Sequence, residues 1–125
     1  MNILLKNAVI VGFGGFFGSI LRYFMYLFAG ILTQNHWYPV ATLFVNVLGS
    51  FVLGLLAGIF TFKGQNDPQM ELFLFVGLLG GFTTFSTFSH ETMGMLRNGQ
   101  FFIMALHILI HILFCIGGAG LGFYL

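Results

Sequence analysis

Charged residues are the scarcest feature of this sequence. Of its 125 residues only four are Lys or Arg and three are Asp or Glu, which is 6%, whereas 58% are hydrophobic. Soluble domains carry about a quarter charged residues, and so few charges cannot keep such an apolar surface in water. The scarcity excludes a soluble domain and predicts an integral membrane protein surrounded by the lipid bilayer.

Cysteine and net charge are also low. Cys115 is the single cysteine, which excludes an internal disulfide. The formal net charge of +1 is too small to indicate nucleic acid as a partner. The sequence has no nucleotide-binding motif and no carboxylate in the middle of an apolar run. These absences argue against ATP-driven or proton-coupled chemistry, and we expect no enzyme activity.

The few charges divide the chain into four long apolar runs. Apart from Arg22, which lies inside the first run, they lie near the ends of these runs, for example at Lys6, Lys63 and Arg97. A helix needs about 20 residues to cross the hydrocarbon layer. We therefore expect a single four-helix transmembrane domain, residues 1–125, with spans near 7–31, 40–62, 70–96 and 101–123.

The distribution of basic residues bears on orientation. An even number of spans puts both termini and the second loop on one side, which holds Lys6 and Lys63, while Arg97 lies on the other. A difference of about one basic residue is a weak signal under the positive-inside rule. Either the chain inserts both ways, which allows an antiparallel dimer, or its extra Lys fixes one orientation. Four packed helices leave little room for an aqueous path within one copy. We therefore expect a pore to lie at an interface between copies.

The first span combines small residues with a charge. Gly14 and Gly18 form a GxxxG pair, and Arg22 lies one turn further along the same helix face. A guanidinium at membrane depth costs several kcal/mol unless it snorkels, pairs or faces water. Either Arg22 supplies a cation at the mouth of an anion path, or it snorkels and pairs with an acid such as Glu71 or Glu91.

The second span carries a polar stripe. Thr42, Asn46 and Ser50 follow one another at intervals of four residues, which puts them on one face of a helix. A carboxamide inside the membrane needs hydrogen-bond partners. Asn46 is expected either to line a polar path or to join two helices by hydrogen bonds.

The third span contains the least ordinary segment. Gly80 and Gly81 are poor helix formers followed by hydroxyl and β-branched residues, so we expect the helix to break at the glycine pair. Freed carbonyls at membrane depth are tolerated when they are buried in protein, line water or bind a cation. Phe82, Phe85 and Phe88 recur every three residues. Such a stripe alone is typical of packing, but hydroxyls between the rings, beside a broken helix, make it less ordinary.

The fourth span carries His107, His111 and Cys115, which are four residues apart and share one helix face. This pattern is typical of a metal or haem site, of a polar stripe along a path, or of hydrogen bonds between helices. No other span is expected to bring a mid-membrane His or acid to these residues, which makes a metal site the weakest of the three interpretations.

Three motifs resemble those of the Fluc (CrcB) family of fluoride channels. They are GGxxGxxxRY at residues 14–23, TLxVNxxGxFxxG at 42–54 and GxxGGxTTFSTFSxE at 77–91. The resemblance extends over the whole chain in length, number of spans and motif order, and the third motif is highly specific. It implies a fluoride-selective ion channel, multi-pass in the cell (inner) membrane, that passively exports fluoride and lowers its cytoplasmic level.

The resemblance also implies how chains and ions are arranged. The fold is then an all-α membrane protein of four transmembrane helices with a broken third helix, assembled as an antiparallel, dual-topology homodimer. Two fluoride pores run at the dimer interface. A structural sodium ion (Na+) at the two-fold axis is held by the main-chain carbonyls of Gly80 and Thr83.

Site residues follow from the same motif positions. The resemblance implies pore roles for two aromatic rings, one amide, three hydroxyls and one thiol, namely Phe85, Phe88, Asn46, Thr42, Ser86, Thr87 and Cys115. Arg22 matches the vestibule position. Some family members offer a serine where this chain has Cys115, and a thiol is a weaker donor than a hydroxyl.

Two other functions fit parts of the sequence. A small four-helix multidrug-type exporter is also dimeric and of similar length. It depends on an intramembrane carboxylate, however, and the first span has Arg22 where that acid is expected. A haem- or metal-binding membrane subunit would use His107 and His111. These two are the alternatives to the fluoride channel.

Overall fold

Helices form the regular structure of the described part of the chain, residues 2–33, 39–64 and 67–125 of this computed structural model. They are α1 (Ile3–Leu32), α2 (Val40–Lys63), α3 (Pro68–Glu71), a π-helix (Leu72–Leu79), α4 (Gly80–Phe82), α5 (Phe85–Arg97) and α6 (Phe101–Tyr124). Four helical segments are long and apolar enough to cross a membrane: Ile3–Leu32, Val40–Lys63, Pro68–Arg97 and Phe101–Tyr124. They correspond to the four predicted spans.

α1 packs against the third span through its glycine face. Gly14 and Gly18 are buried. A Cβ atom on Gly18 would lie 2.1 Å from the Leu78 carbonyl oxygen, and one on Gly14 would lie 2.5 Å from the Phe73 oxygen. No side chain fits in these contacts, so the two backbones touch directly, as small residues allow in membranes. The GxxxG pair therefore joins two spans of the same chain.

α2 and α6 form a second close contact. A Cβ on Gly54 would lie 2.0 Å from the Ala119 oxygen, and one on Gly122 would lie 2.2 Å from the Phe51 oxygen. Backbone contact replaces a large apolar core here. The buried hydrophobic residues of the described chain are Val45, Leu79, Phe82 and Met95. Two glycine-based contacts thus hold the spans together.

The third span begins with a capped turn and continues as a wide helix. Asp67 accepts hydrogen bonds from the first N–H groups of α3, and Pro68 occupies its first turn, the position where a missing N–H costs nothing. Leu72–Leu79 is π-helical. Such segments are rare, and they occur often at functional sites.

The third span is interrupted, as predicted, but not at the predicted glycine pair. Gly80 has helical backbone angles, φ −63° and ψ −37°, and α4 contains both glycines. The chain leaves the helix at Thr83 and Thr84, where ψ is 161° and 115°. A Cβ on Gly81 would lie 2.8 Å from the Gly15 oxygen. Close packing against α1 therefore explains Gly81 better than a helix break does.

The outer faces of the spans are covered by large apolar side chains. Ile3, Phe13 and Phe102 are 70%, 61% and 80% exposed on the single chain. Side chains of this kind suit contact with lipid or with another apolar protein surface. The predicted loop residues 34–38 and 65–66 lie outside the described residues.

Candidate functional site

Asn46 of α2 forms hydrogen bonds with the backbone at the break in the third span. Its Nδ2 donates a hydrogen bond to the Thr84 carbonyl oxygen (3.0 Å), and its Oδ1 accepts one from the Thr84 N–H (2.8 Å). Thr84 Oγ1 accepts a hydrogen bond from the Thr87 N–H (3.2 Å) and caps α5. Both backbone groups of Thr84 thus find a partner within the chain, as membrane depth requires. Asn46 joins two spans, and these bonds leave the second N–H of its amide unused.

Arg22 reaches the same break from α1. Its Nη1 donates to the Thr83 carbonyl oxygen over 3.1 Å. The alternative in which Arg22 pairs with an acid is not seen among the described residues. There, Glu91 is the acid that lies beside a basic group, and that group is His107. Arg22 also borders a cavity of about 480 Å³, here called the Arg22 cavity, lined by Ser19, Arg22, Tyr23, Tyr26, Thr84, Ser86 and Thr87.

Two carbonyl groups beside the break suit a cation. The Thr84 N–H donates to Asn46, so it does not pair with the Gly80 carbonyl as it would in a continuous α-helix. The Thr83 carbonyl oxygen has two lone pairs and uses one for Arg22. Gly80 is exposed on the single chain. Because hard cations prefer oxygen ligands, the chemistry of these two carbonyl groups fits that of sodium ligands.

An open groove also borders the break. This Phe85 groove has a volume of about 290 Å³ and is lined by Asn46, Thr83, Thr84, Phe85, Phe88, His111, Ile112, Cys115 and Ile116. Phe85 is 77% exposed, and its ring centroid lies 5.5 Å from that of Phe88. Ring edges are electropositive, so the groove places weak aromatic donors beside an amide.

Thr42 belongs to a separate polar cluster. Its hydroxyl donates to Glu91 Oε1 (2.5 Å), and because that hydroxyl has one proton, the Tyr26 hydroxyl donates to Thr42 (2.7 Å). Glu91 Oε2 lies 3.8 Å from Nε2 of the fully buried His107. This Glu91 cluster of Tyr26, Thr42, Glu91 and His107 joins α1, α2, α5 and α6 beside a cavity of about 310 Å³.

The two histidines of α6 pack around Phe88. The Phe88 ring centroid is 5.0 Å from that of His107 and 4.6 Å from that of His111. His111 Nδ1 lies 3.0 Å from the His107 carbonyl oxygen. Within the described residues, no three His, Cys, Asp or Glu side chains come together in a way that could hold a metal ion. The arrangement supports packing and hydrogen bonding at these histidines.

The predicted pore residues fall into three places. The Phe85 groove contains Asn46, Phe85, Phe88 and Cys115. The Arg22 cavity contains Ser86 and Thr87. Thr42 lines neither of these and lies in the Glu91 cluster.

Glu91 was not predicted to be a neighbour of His107. By its position in the sequence Glu91 is an acid near the end of a span, and no acid was expected near His107. That expectation is wrong, because the break delays the start of α5 to Phe85 and places Glu91 opposite α6. One feature of the sequence could have predicted this contact. Phe88 and Glu91 are three residues apart and therefore lie on one helix face.

Comparison with known proteins gives an independent view of the chain. The sequence profile of a family described as "CrcB-like protein, Camphor Resistance (CrcB)" matches residues 9–123. The chain is 48% identical over 120 residues to a protein of Elusimicrobium minutum named "Fluoride-specific ion channel FluC", covering 96% of this chain and 93% of that protein. Proteins of the same name from Campylobacter jejuni and Methanococcus maripaludis are similar as well. The first is 43% identical over 124 residues (96% and 97% covered), and the second is 40% identical over 118 residues (94% and 93% covered).

Proposed function

Because the chain belongs to the CrcB family, it is a fluoride-specific ion channel and not an enzyme, and we propose that it works as an antiparallel, dual-topology homodimer with two fluoride pathways between the subunits. Fluoride then leaves the cytoplasm passively across the cell (inner) membrane. The observation that carries this proposal is the Phe85 groove, which opens on the outer surface of the single chain.

The groove needs a second wall. Polar backbone at membrane depth is tolerated only where it is buried in protein or lines a water-filled space. In the single chain, however, Phe85 is 77% exposed beside the amide of Asn46 and the interrupted backbone. A second copy is the partner that always accompanies the chain, and it would close the groove into a narrow path.

The interior of one chain supports the same conclusion. The spans meet through direct backbone contacts, with a Cβ on Gly18 lying 2.1 Å, and one on Gly54 lying 2.0 Å, from a carbonyl oxygen of the facing helix. Contacts this close leave no room for an ion between those helices. A pathway between two copies is therefore favoured over one through the middle of a single copy.

The groove offers donors that suit fluoride. Fluoride is small and strongly hydrated, so a channel must replace its water with several donors, none of which holds the ion too tightly to release it. We assign Phe85 and Phe88 as donors through their ring edges. We assign Asn46 as a donor through the amide N–H that its bonds to Thr84 leave unused. Cys115 contributes a weak S–H donor to the same wall.

Residues of the two neighbouring cavities would serve the approaches to the groove. Ser86 and Thr87 line the Arg22 cavity with their hydroxyls, and Arg22 adds a cation at this vestibule that raises the local anion concentration. Thr42 lies in the Glu91 cluster, so we assign it to the approach on that side.

We also propose a structural sodium ion at the two-fold axis. The carbonyls of Gly80 and Thr83 from both copies would hold it. Two observations support this site. Gly80 is exposed on the single chain, and its carbonyl has no helical N–H partner among the described residues. The ion neutralises carbonyl dipoles that face each other where the copies meet.

Efflux from liposomes tests the proposed function. Vesicles containing the purified protein are loaded with potassium fluoride and potassium chloride at equal internal and external pH, and a potassium ionophore starts the flow. We expect fluoride electrodes to record rapid loss of fluoride while chloride is retained. Equal loss of both anions would contradict selectivity, and fluoride loss no faster than from protein-free vesicles would contradict the channel itself.

A further inference from the structure

The proton position on His111 follows from its hydrogen bond. Nδ1 lies 3.0 Å from the His107 carbonyl oxygen, and a carbonyl can only accept. Nδ1 therefore carries the proton of the neutral ring, and Nε2 presents a lone pair.

Nε2 of His111 is an orphan in the groove wall. It is buried and has no hydrogen-bond partner within the described residues, while His111, 5% exposed, lines the Phe85 groove. A lone pair at this place repels an anion. A second proton converts the same atom into a charged donor, and a protonated ring with fluoride beside it is neutral as a pair, which lowers the cost of burying both.

We propose that His111 is a proton-dependent fluoride ligand, so that fluoride binds in the Phe85 groove more strongly, and is conducted faster, as the pH falls. This inference rests on the proposed function, because it needs fluoride in that groove. A hydroxyl at the same place would donate equally at all pH values near neutrality. The histidine therefore makes the fluoride binding of this chain depend on pH.

Other groups face the histidine pair from each packed helix. On α6 these are His107 and Cys115. From α5, the centroid of the Phe88 ring lies 4.6 Å from that of the His111 ring. At this distance the face of a phenylalanine ring favours a protonated imidazole. Glu91 of α5 faces His107, because Glu91 Oε2 lies 3.8 Å from His107 Nε2. The charge of Glu91 therefore acts first on His107.

α1 and α2 bring no acid to His111. Among their ionisable groups, Arg22 bonds the Thr83 carbonyl oxygen and Tyr26 bonds the Thr42 hydroxyl. The neutral amide of Asn46 shares the groove. An anion is therefore the natural partner of a protonated Nε2, and the groove is where fluoride would supply it.

The direction of the effect is set by the protonation step. At low pH Nε2 donates and fluoride binds, and at high pH the lone pair repels fluoride and flow decreases. Hydrogen bonds to charged groups make a difference of roughly tenfold or more in affinity. At subsaturating fluoride we expect efflux at about pH 5.5 to be roughly tenfold faster than at about pH 7.5, because the protonated fraction of His111 rises as the pH falls.

Histidine variants in the liposome assay test this role. The pH is equal on both sides, and the rate of protein-free vesicles is subtracted at each pH because hydrogen fluoride crosses lipid unaided. His111→Gln places an amide donor near the former Nε2 without a titrating ring, so its efflux should be nearly independent of pH. His90→Gln makes the same substitution at an exposed position of α5 and should keep the wild-type pH dependence.

The outcomes separate the inference from the proposed function. A wild-type efflux that is fast but independent of pH, or a His111→Gln variant with the wild-type slope, overturns the role of His111 and leaves the channel standing. Fluoride efflux at the protein-free rate at every pH overturns the channel as well.

A second measurement does not depend on flow. In wild-type protein with nitrogen-15 histidine, sodium fluoride at a fixed pH near 6.5 should move the His111 Nε2 signal toward its protonated position, and sodium chloride should not. This follows because binding of proton and fluoride is reciprocal. An Nε2 signal that is the same in both salts contradicts the proposal even if His111→Gln fails to fold.

Discussion

Asn46 shows how one side chain can serve both the fold and the pathway. Its carboxamide bonds both backbone groups of Thr84, and it also lines the Phe85 groove. The two interpretations that its sequence position allows, a helix-joining amide and a pore amide, are therefore compatible. The shape of the amide explains this, since it has two N–H donors and the break uses one.

Replacing Asn46 with Asp tests both roles at once. The carboxylate has no N–H for the Thr84 carbonyl, and its charge repels an anion in the groove. We expect fluoride efflux from liposomes to fall about 10- to 100-fold, as expected for the loss of a buried hydrogen bond. Asn98→Asp, the same change at an exposed position after α5, should leave efflux near the wild-type rate. Equal efflux for the two variants would contradict the placement of Asn46 in the pathway.

Polar residues were predictable at this scale, but their partners were not. Asn46, Arg22 and His107 stand out because lipid does not tolerate them without a reason. Which group each one meets depends on helix rotation and on the position of the break. For that reason the Thr42–Glu91 hydrogen bond and the Arg22–Thr83 hydrogen bond appear only in the structure.

At the scale of helices, glycine sets which spans touch. The GxxxG pair in the first span predicts a close contact but leaves the partner open. The structure gives the third span as the partner, with Gly18 against Leu78. The break in the third span was likewise predictable, but its position was not. Gly80 and Gly81 stay helical, and Thr83 and Thr84 leave the helix because Asn46 and the α5 cap offer their backbone groups other partners.

A pair of glycine substitutions in α1 tests the contact. In Gly18→Ala the new Cβ would lie 2.1 Å from the Leu78 oxygen, whereas in Gly12→Ala nothing lies within 4 Å. Overpacking costs about 1–3 kcal/mol or more, so Gly18→Ala should lower the melting temperature in detergent, measured by circular dichroism. Gly12→Ala should keep or slightly raise it because alanine favours helices. Equal melting temperatures would show that α1 and the third span are not in backbone contact.

At the scale of the whole molecule, the single chain leaves the Phe85 groove open at its outer surface. Length and span number predict a four-helix membrane protein directly from the scarcity of charge. The groove, by contrast, needs the break, the rotation of α5 and the position of α6 together, and no local pattern contains all three. The proposed dimer accounts for an exposed Phe85 and an exposed Gly80 on the same chain.

Substitution of Gly80 tests the contact between copies. Within one chain a Cβ at Gly80 meets its nearest atom, the Phe75 oxygen, at an ordinary 3.5 Å, so Gly80→Val should preserve the fold of the chain. At a two-fold contact its methyl groups would separate the paired carbonyls, and the dimer fraction, measured by size-exclusion chromatography with light scattering, should fall. Gly120→Val places the same side chain on an exposed face of α6 with nothing within 4 Å and should stay dimeric. A dimer fraction that is unchanged in Gly80→Val would count against the proposed sodium site.

The most direct measurement compares two exposed phenylalanines in the fluoride efflux assay. Phe85 and Phe102 are 77% and 80% exposed on the single chain, but only Phe85 borders the groove. If the Phe85 ring faces a fluoride path between two copies, Phe85→Ile reduces efflux to nearly the protein-free rate, while Phe102→Ile conducts like the wild type. If both variants conduct like the wild type, Phe85 faces lipid and the pathway lies elsewhere.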